Sequence, residues 1–382
     1  MSSSNPRVSI VIPSYNHLHY LPRAVNTALD QTFDDIEVIV VNDGSTDGTQ
    51  QWLDAFRHPK LRVIHQENGG PAEAINTGMR AAAGEYVTWM SADNYCANYF
   101  VEAFAAALDS DPANAFAYSP YYIIDANEEI HSIYFASVIA LRELVTRTGH
   151  HRGNASFMYR KSIHDDVGMY EGWTCDQAMW VKILERHQSV FLVEPVYYYR
   201  IHDTMATQTK QSEIGEESPK ILQDFLQRNN GGISEQLLVR LYPGLNKSPE
   251  LMPLALSDFS SRLYNNGLKT ESLTYLKVTL SMYGIDDLLR PLLNFISLAT
   301  VSQMDPALHI QESIDKNSKL TPDMKSALLS TAQSLITLYG LKSKRDIFLI
   351  DHETMPLKYD MPKIFSFAAW KSGAKTPPLP AL

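Results

Sequence analysis

With 382 residues and only Cys96 and Cys175, the chain is long enough for a domain of about 200 residues plus a second unit, and a small disulfide-stapled fold is excluded. Its 43 acidic residues outnumber 33 Lys and Arg, and the resulting net charge of -10 opposes a phosphate-backbone footprint, which excludes nucleic acid as the main partner. No charged stretch leads into an apolar run at MSSSNPR, and the apolar runs fall short of the roughly 20 residues of a membrane helix; a cytoplasmic location is expected, with peripheral contact at the inner face of the membrane left open.

Up to about residue 205 the chain alternates short β-branched runs with helical segments, as βαβ units require. Residues 8–12 predict a buried strand, 20–32 a helix and 37–41 the next strand. Asp47 offers a short carboxylate to the free amides of a helix running to Phe56. Residues 61–65 predict a strand, and 71–83 a helix with Pro71 in its first turn, where a missing N–H costs little. A strand at 86–90 and a helix at 100–109 follow, then strands at 115–118, 155–159 and 190–192.

Beyond residue 205 the apolar spacing turns helical, first at Ile221, Leu222, Phe225 and Leu226, then at Leu237, Leu238 and Leu241, then from Leu254 to Leu298 and over 324–341. The expected organisation is an α/β domain over 1–205, a helical accessory domain over 206–345 and a tail over 346–382. That tail carries Phe348, Phe365, Phe367 and Trp370, and either packs on the body or meets a partner or membrane surface.

In an open parallel α/β sheet, ligands bind beyond the carboxyl ends of the strands, so the polar breaks there carry the chemistry. Pro13 stops ladder pairing at the end of the first strand. Tyr15 then either stacks on a nucleobase, a contact worth about 1–3 kcal/mol, or packs over the sheet edge. Asp43 serves either a base N–H and ribose hydroxyls or its own Gly44-Ser45 turn. Gly69-Gly70-Pro71 opens a helix whose amides and dipole suit a diphosphate. Ser91-Ala92-Asp93-Asn94 is either a capping turn or, through Asp93, a hard-oxygen ligand for Mg²⁺ or Mn²⁺. Asp176, before the amphipathic segment 178–185, is either an N-cap or a base whose pKa a dry pocket lifts towards neutrality. Asn154, Trp173 and Trp180 are offered as an acceptor pocket, aromatic faces suiting sugar C–H surfaces; Trp180 reads equally well as core.

The succession SIVIPSYN, VVNDGSTDGT, GGPAEAINTG, AAGEYVTWMSADN, GMYEGWTCDQAMWVKI and YYYRIH resembles the inverting family 2 glycosyltransferases of GT-A fold, over residues 7–205. The resemblance implies a Rossmann-like, mostly parallel sheet flanked by helices, followed here by a mostly α-helical C-terminal domain. It implies a nucleoside-diphosphate sugar, UDP-linked, held by Pro13, Tyr15, Asn16, Asp43, Gly70, Asn76, Ser91 and Asp93. A Mn²⁺ or Mg²⁺ ion at Asp93 and His202 is implied too, the imidazole favouring Mn²⁺. Asp176 becomes the base that activates a hydroxyl of a glycan, glycolipid or protein acceptor in polysaccharide or glycoconjugate synthesis. An oligomer formed through the helical domain remains open.

The chain departs from the family pattern at several positions. Ala74-Ile75-Asn76 stands where the family carries Ala-Arg-Asn, removing a cation from the donor side. Asp93 is the sole carboxylate where the family has Asp-x-Asp-Asp, and Cys175 replaces the acidic neighbour of the base. These departures motivate a second expectation, a nucleotide-sugar-binding module that has lost catalysis and acts as a partner or regulator. A dinucleotide oxidoreductase is set aside, because Pro13-Ser14-Tyr15-Asn16 stands where a Gly-x-Gly-x-x-Gly turn is needed.

Overall fold

Runs that are β-branched and buried on both faces assemble as strands of one sheet, joined by amphipathic helices. A computed structural model describes residues 5–134, 141–146, 155–229, 233–246 and 363–372, with scattered positions between 249 and 322. In chain order come β1 (Val8–Ser14), α1 (Leu21–Leu29), β2 (Ile36–Asp43), α2 (Thr49–Ala55), β3 (Leu61–Gln66), α3 (Pro71–Ala81) and β4 (Tyr86–Trp89). Then follow β5 (Tyr95–Cys96), α4 (Phe100–Asp109), β6 (Asn114–Tyr118), β7 (Tyr121–Ile124), β8 (Ile130–Tyr134), α5 (Leu141–Thr146), β9 (Phe157–Arg160) and α6 (Ile163–Val167). The remainder is α7 (Cys175–Leu184), β10 (Gln188–Leu192), β11 (Tyr197–Arg200), α8 (Ala206–Thr209), α9 (Gln211–Arg228), α10 (Glu235–Leu241), β12 (Lys363–Phe365) and α11 (Phe367–Lys371).

The large sheet has the order β12-β10-β6-β9-β4-β1-β2-β3. Its pairings are parallel except where β9 runs against β4 and β6, which gives the mostly parallel, helix-flanked sheet expected of a GT-A fold. Val8, Ile10, Ile12, Val38 and Val40 point to one face and pack with α1 and α4. On the other face α3 lies so close to β1 that a Cβ on Gly78 would come 2.2 Å from Val11 Cγ1, so only glycine fits. A smaller sheet, β5-β11-β7-β8, was not anticipated from the sequence. It matters here because β11 delivers Arg200 and His202 to the acidic turn after β4.

The chain divides into two compact units, Met1–Phe225 with Met361–Leu382, and Leu226–Asp360. In the first, β12 joins the outer edge of β10 in parallel, and Phe367 is buried. Glu194 holds the start of α11 by accepting from Ser366 Oγ at 2.6 Å and from the Phe367 and Ala368 amides at 3.0 and 3.1 Å. In the second, Ser234 caps α10, which buries Leu237, Leu238 and Leu241, and Phe259 meets Tyr275 edge-on. The helical stretch expected at 324–341, Phe348 and most of 254–298 lie outside the described residues. Among the described residues no helix is long and apolar enough to cross a membrane.

Candidate functional site

The loops that leave β1 and β2 are sewn together at their bases. Asn16 turns the chain at φ 55°, accepts from the Thr46 amide at 2.8 Å through its side chain, and donates its own amide to Ser45 Oγ at 3.0 Å. Asp47 accepts from the Leu18 amide across the same seam and from the amide and hydroxyl of Thr49. The helix cap itself is Gly48 at φ 93°, one residue beyond the position expected. Burial works against the Asp47 charge, but these donors outweigh it and hold the carboxyl below its ordinary value. This seam leaves Tyr15, which follows Pro13 and Ser14 at the strand end, 48% exposed above the sheet and free to meet a flat ligand.

Asp43 ends β2 with only 2% exposure. Its carboxylate accepts from Gln66 Nε2 at 2.8 Å and from the Gly69 and Gly70 amides at 2.8 and 3.0 Å. The Gly44-Ser45 turn is held instead by Asn42, whose Oδ1 accepts from the Ser45 amide. The two glycine amides expected to meet a diphosphate therefore already donate to Asp43, which fixes the turn into α3. Asn76 is committed as well: its side chain donates to Tyr170 O and accepts from Tyr170 N, both at 2.9 Å. That pair ties α3 to the segment leading into α7.

Beyond β4 the turn from Ser91 to Asn94 presents Asp93, 7% exposed. Arg200 of β11 holds this turn: its amide donates to Asn94 Oδ1, its Nε to Asp93 O and its Nη2 to Glu128, and its guanidinium lies 4.8 Å over the Tyr20 ring. Two residues later His202 sets Nε2 3.0 Å from Asp93 Oδ2, with Nδ1 3.0 Å from Thr204 Oγ1. A ring nitrogen of His17, on the β1 loop, completes the group, all ligand atoms of His17, Asp93 and His202 lying within 4.8 Å of one another. Burial alone would push the Asp93 carboxyl up; the His202 hydrogen bond, the charge of His17 and the Ser91 hydroxyl outweigh it and hold it below its ordinary value. Asp93 Oδ1 and His17 Nδ1 are buried without a hydrogen-bond partner. Unfilled groups of this kind, one on a carboxylate and one on an imidazole, fit a divalent cation.

His17 and Arg200 escaped the sequence reading, although both stand beside residues singled out there. Position in a strand-end loop was the available signal for His17, and a lone Arg in a Tyr-rich strand for Arg200.

Asp176 lies in the first turn of α7, whose cap is Thr174 rather than Asp176. Its carboxylate accepts from the Gln177 amide at 2.7 Å, while burial pushes its pKa above the ordinary value. The turn before it is held from α9 by Glu217, which accepts from the Trp173 and Thr174 amides. Trp173 is partly exposed under Lys210, whose Nζ lies 5.0 Å over its ring. Trp180 is fully buried against Phe116 and Phe157, which makes it core. Asn154 lies outside the described residues. Tyr170, bonded to Asn76, also meets Trp89 at the end of β4 edge-on, so the entry to α7 sits at the carboxyl end of the sheet.

Residues 9–168 match the glycosyl transferase family 2 profile. The chain is 30% identical over 238 residues to an uncharacterized glycosyltransferase of Rickettsia typhi, covering 59% of this chain and 73% of the relative. It is 30% identical over 212 residues to glycosyltransferase GlyG of Streptococcus pneumoniae, covering 50% of this chain and 70% of the relative. Among solved structures, S. aureus TarS 1-349 in complex with UDP-GlcNAc is 20% identical with a TM-score of 0.46, covering 74% of this chain and 88% of that TarS 1-349 chain. Mannosyltransferase PcManGT from Pyrobaculum calidifontis, in complex with GDP-Man and Mn²⁺, is 17% identical with a TM-score of 0.44, each chain covered to 89%.

Proposed function

The chain belongs to glycosyl transferase family 2, and from that premise we propose that it is a metal-dependent, inverting transferase moving a sugar from a nucleoside diphosphate, UDP in the first instance, to a hydroxyl of a glycan, glycolipid or protein acceptor. The observation that carries this reading is Asp93, a buried carboxylate just beyond the carboxyl end of β4 in the mostly parallel sheet, with one oxygen unpaired and an imidazole 3.0 Å from the other. Tyr15 stacks on the base, while Asp43 shapes the floor of the nucleotide pocket through the Gly69-Gly70 turn. A divalent cation at Asp93, His202 and His17 would neutralise charge developing on the leaving diphosphate.

Asp176 takes the proton of the acceptor hydroxyl as that oxygen attacks the anomeric carbon opposite the diphosphate. Burial raises its pKa, which strengthens it as a proton acceptor. The partly exposed Trp173 offers an aromatic wall to the acceptor.

Release of UDP from a panel of UDP-sugars, with Mn²⁺ and with and without acceptors, tests the reading. Asp93→Asn keeps the side-chain volume and removes the charge, so the Mn²⁺ dependence of turnover is expected to disappear. Tight donor binding with no release under any condition would replace the enzyme with a nucleotide-sugar-binding module.

A further inference from the structure

We infer that His17 is a third protein ligand of the cation, and that His17, Asp93 and His202 form a preassembled centre of two imidazoles and one carboxylate that takes Mn²⁺ in preference to Mg²⁺ before any nucleotide arrives. The purpose given to the ion rests on the transferase reading; its binding does not.

Geometry carries the assignment first. Two ligand atoms each about 2.1 Å from one ion stand at most about 4.2 Å apart, and the ligand atoms of the cluster lie within 4.8 Å of one another. Closure therefore asks for shifts of a few tenths of an ångström. His202 Nε2 and Asp93 Oδ2 already stand 3.0 Å apart, as neighbouring ligands do. The other ring nitrogen of His202 faces Thr204 Oγ1 at 3.0 Å, an outer partner of the kind that orients a metal-binding imidazole. Nε2, which gives its hydrogen bond to Asp93 in the absence of an ion, would release that proton to solvent on binding one.

Unsatisfied groups point the same way. Asp93 Oδ1 and His17 Nδ1 are buried without partners, so the cluster holds more acceptor capacity than the protein uses. The scaffold around it is complete without a ligand. The loop bearing His17 is bonded through Asn16 to Thr46 and through Leu18 to Asp47, and Arg200 fixes the turn bearing Asp93. A site held this way needs no diphosphate to assemble it.

Chemistry then selects the ion. Mg²⁺ is bound through carboxylates and retained waters in octahedral oxygen geometry, and one carboxylate is a poor host for it. Imidazole nitrogens favour Mn²⁺ and the later first-row ions. Two neutral imidazoles and one carboxylate leave a net positive ion with open positions, which suits an incoming anionic diphosphate.

The test is Mn²⁺ titration of the metal-free full chain without nucleotide, followed by electron paramagnetic resonance, with pulsed measurements counting coordinated ¹⁴N. The expected result is one Mn²⁺ coupled to two imidazole nitrogens, not displaced by equimolar Mg²⁺. His17→Ala is expected to show a single nitrogen and at least about tenfold weaker Mn²⁺ binding, and His17→Asp to shift preference towards Mg²⁺. Circular dichroism melts confirm that each variant folds. A single nitrogen in the wild type, or unchanged Mn²⁺ affinity in folded His17→Ala, overturns the assignment. UDP binding on the same samples separates the two readings, since its failure beside an intact two-nitrogen spectrum sinks the transferase and leaves this centre standing.

Discussion

Asp93 and Asp176 are both desolvated carboxylates, yet their neighbours move them in opposite directions. At Asp176 burial dominates and a single outside amide, from Gln177, opposes it; at Asp93 burial is outweighed by His202, His17 and Ser91. In the proposed function this difference corresponds to a division of labour between the two carboxylates. On that reading the one pushed up would take a proton, and the one held down would remain an anion able to hold a cation. The sign for activity follows directly: below its pKa Asp176 carries a proton and cannot accept another. With Mn²⁺ saturating, the acidic limb of kcat/KM is therefore expected above the ordinary aspartate value of 3.8. In Asp176→Asn, kcat is expected to fall by about 10²–10⁴ while donor affinity holds; an unchanged kcat removes the base. Asp93, His202 and Asp176 could be nominated from sequence because each sits in a local motif that resembles the family pattern. His17 could not, because its place beside them arises from the approach of the β1 loop to the residues that follow β11, a contact that no spacing along the chain encodes.

At the scale of elements, the lead-in to α7 decides where Asp176 stands. Thr174 contributes no side-chain cap; the free amides of Trp173 and Thr174 are taken by Glu217, from α9 and more than 40 residues downstream in sequence, as 44 and 43 residues separate the partners. A charged acceptor on two amides makes strong hydrogen bonds, so Glu217 fixes the turn that leads to Asp176, the proposed base. Glu217→Gln leaves one of its acceptor oxygens, whereas Glu217→Ala leaves none. The expected outcome is a kcat loss in the alanine variant, partial recovery in the glutamine variant, and little change in donor KM. Equal kcat in all three, from steady-state kinetics on folded protein, would show that Glu217 only packs. The strands β1 and β2 were readable because runs such as Ile36 to Val41 are almost continuously buried and bounded by turn residues. The small sheet was not, since the Tyr-rich strands β7 and β11 pair with each other in parallel and stack Tyr122 on Tyr198, a preference visible only once partners are known.

For the whole molecule, the large sheet is finished by residues from the far end of the chain. β12 pairs with β10 across a long sequence separation, closing an edge that would otherwise present unpaired amides and carbonyls. Periodicity within 363–371 reveals an amphipathic scrap and nothing of its partner, which is why packing on the body and contact with another surface could not be separated from sequence. The structure makes the distinction physical. Phe367 is 6% exposed in the main core cluster and lies flat against Tyr99 at 5.8 Å, whereas Trp370, on the same short helix, is 50% exposed. Removing a buried aromatic costs about 3–5 kcal/mol, while a surface change stays within about 0.5 kcal/mol. Phe367→Ala is therefore expected to lower the midpoint of thermal unfolding by on the order of 10 °C, and Trp370→Ala to leave it nearly unmoved, by far-UV circular dichroism. The contrast between the two variants is the informative quantity, because both remove an aromatic from α11 and differ chiefly in burial. Similar small shifts in both would mean that the sheet is stable without its last strand, and that α11 is a surface appendage rather than part of the core.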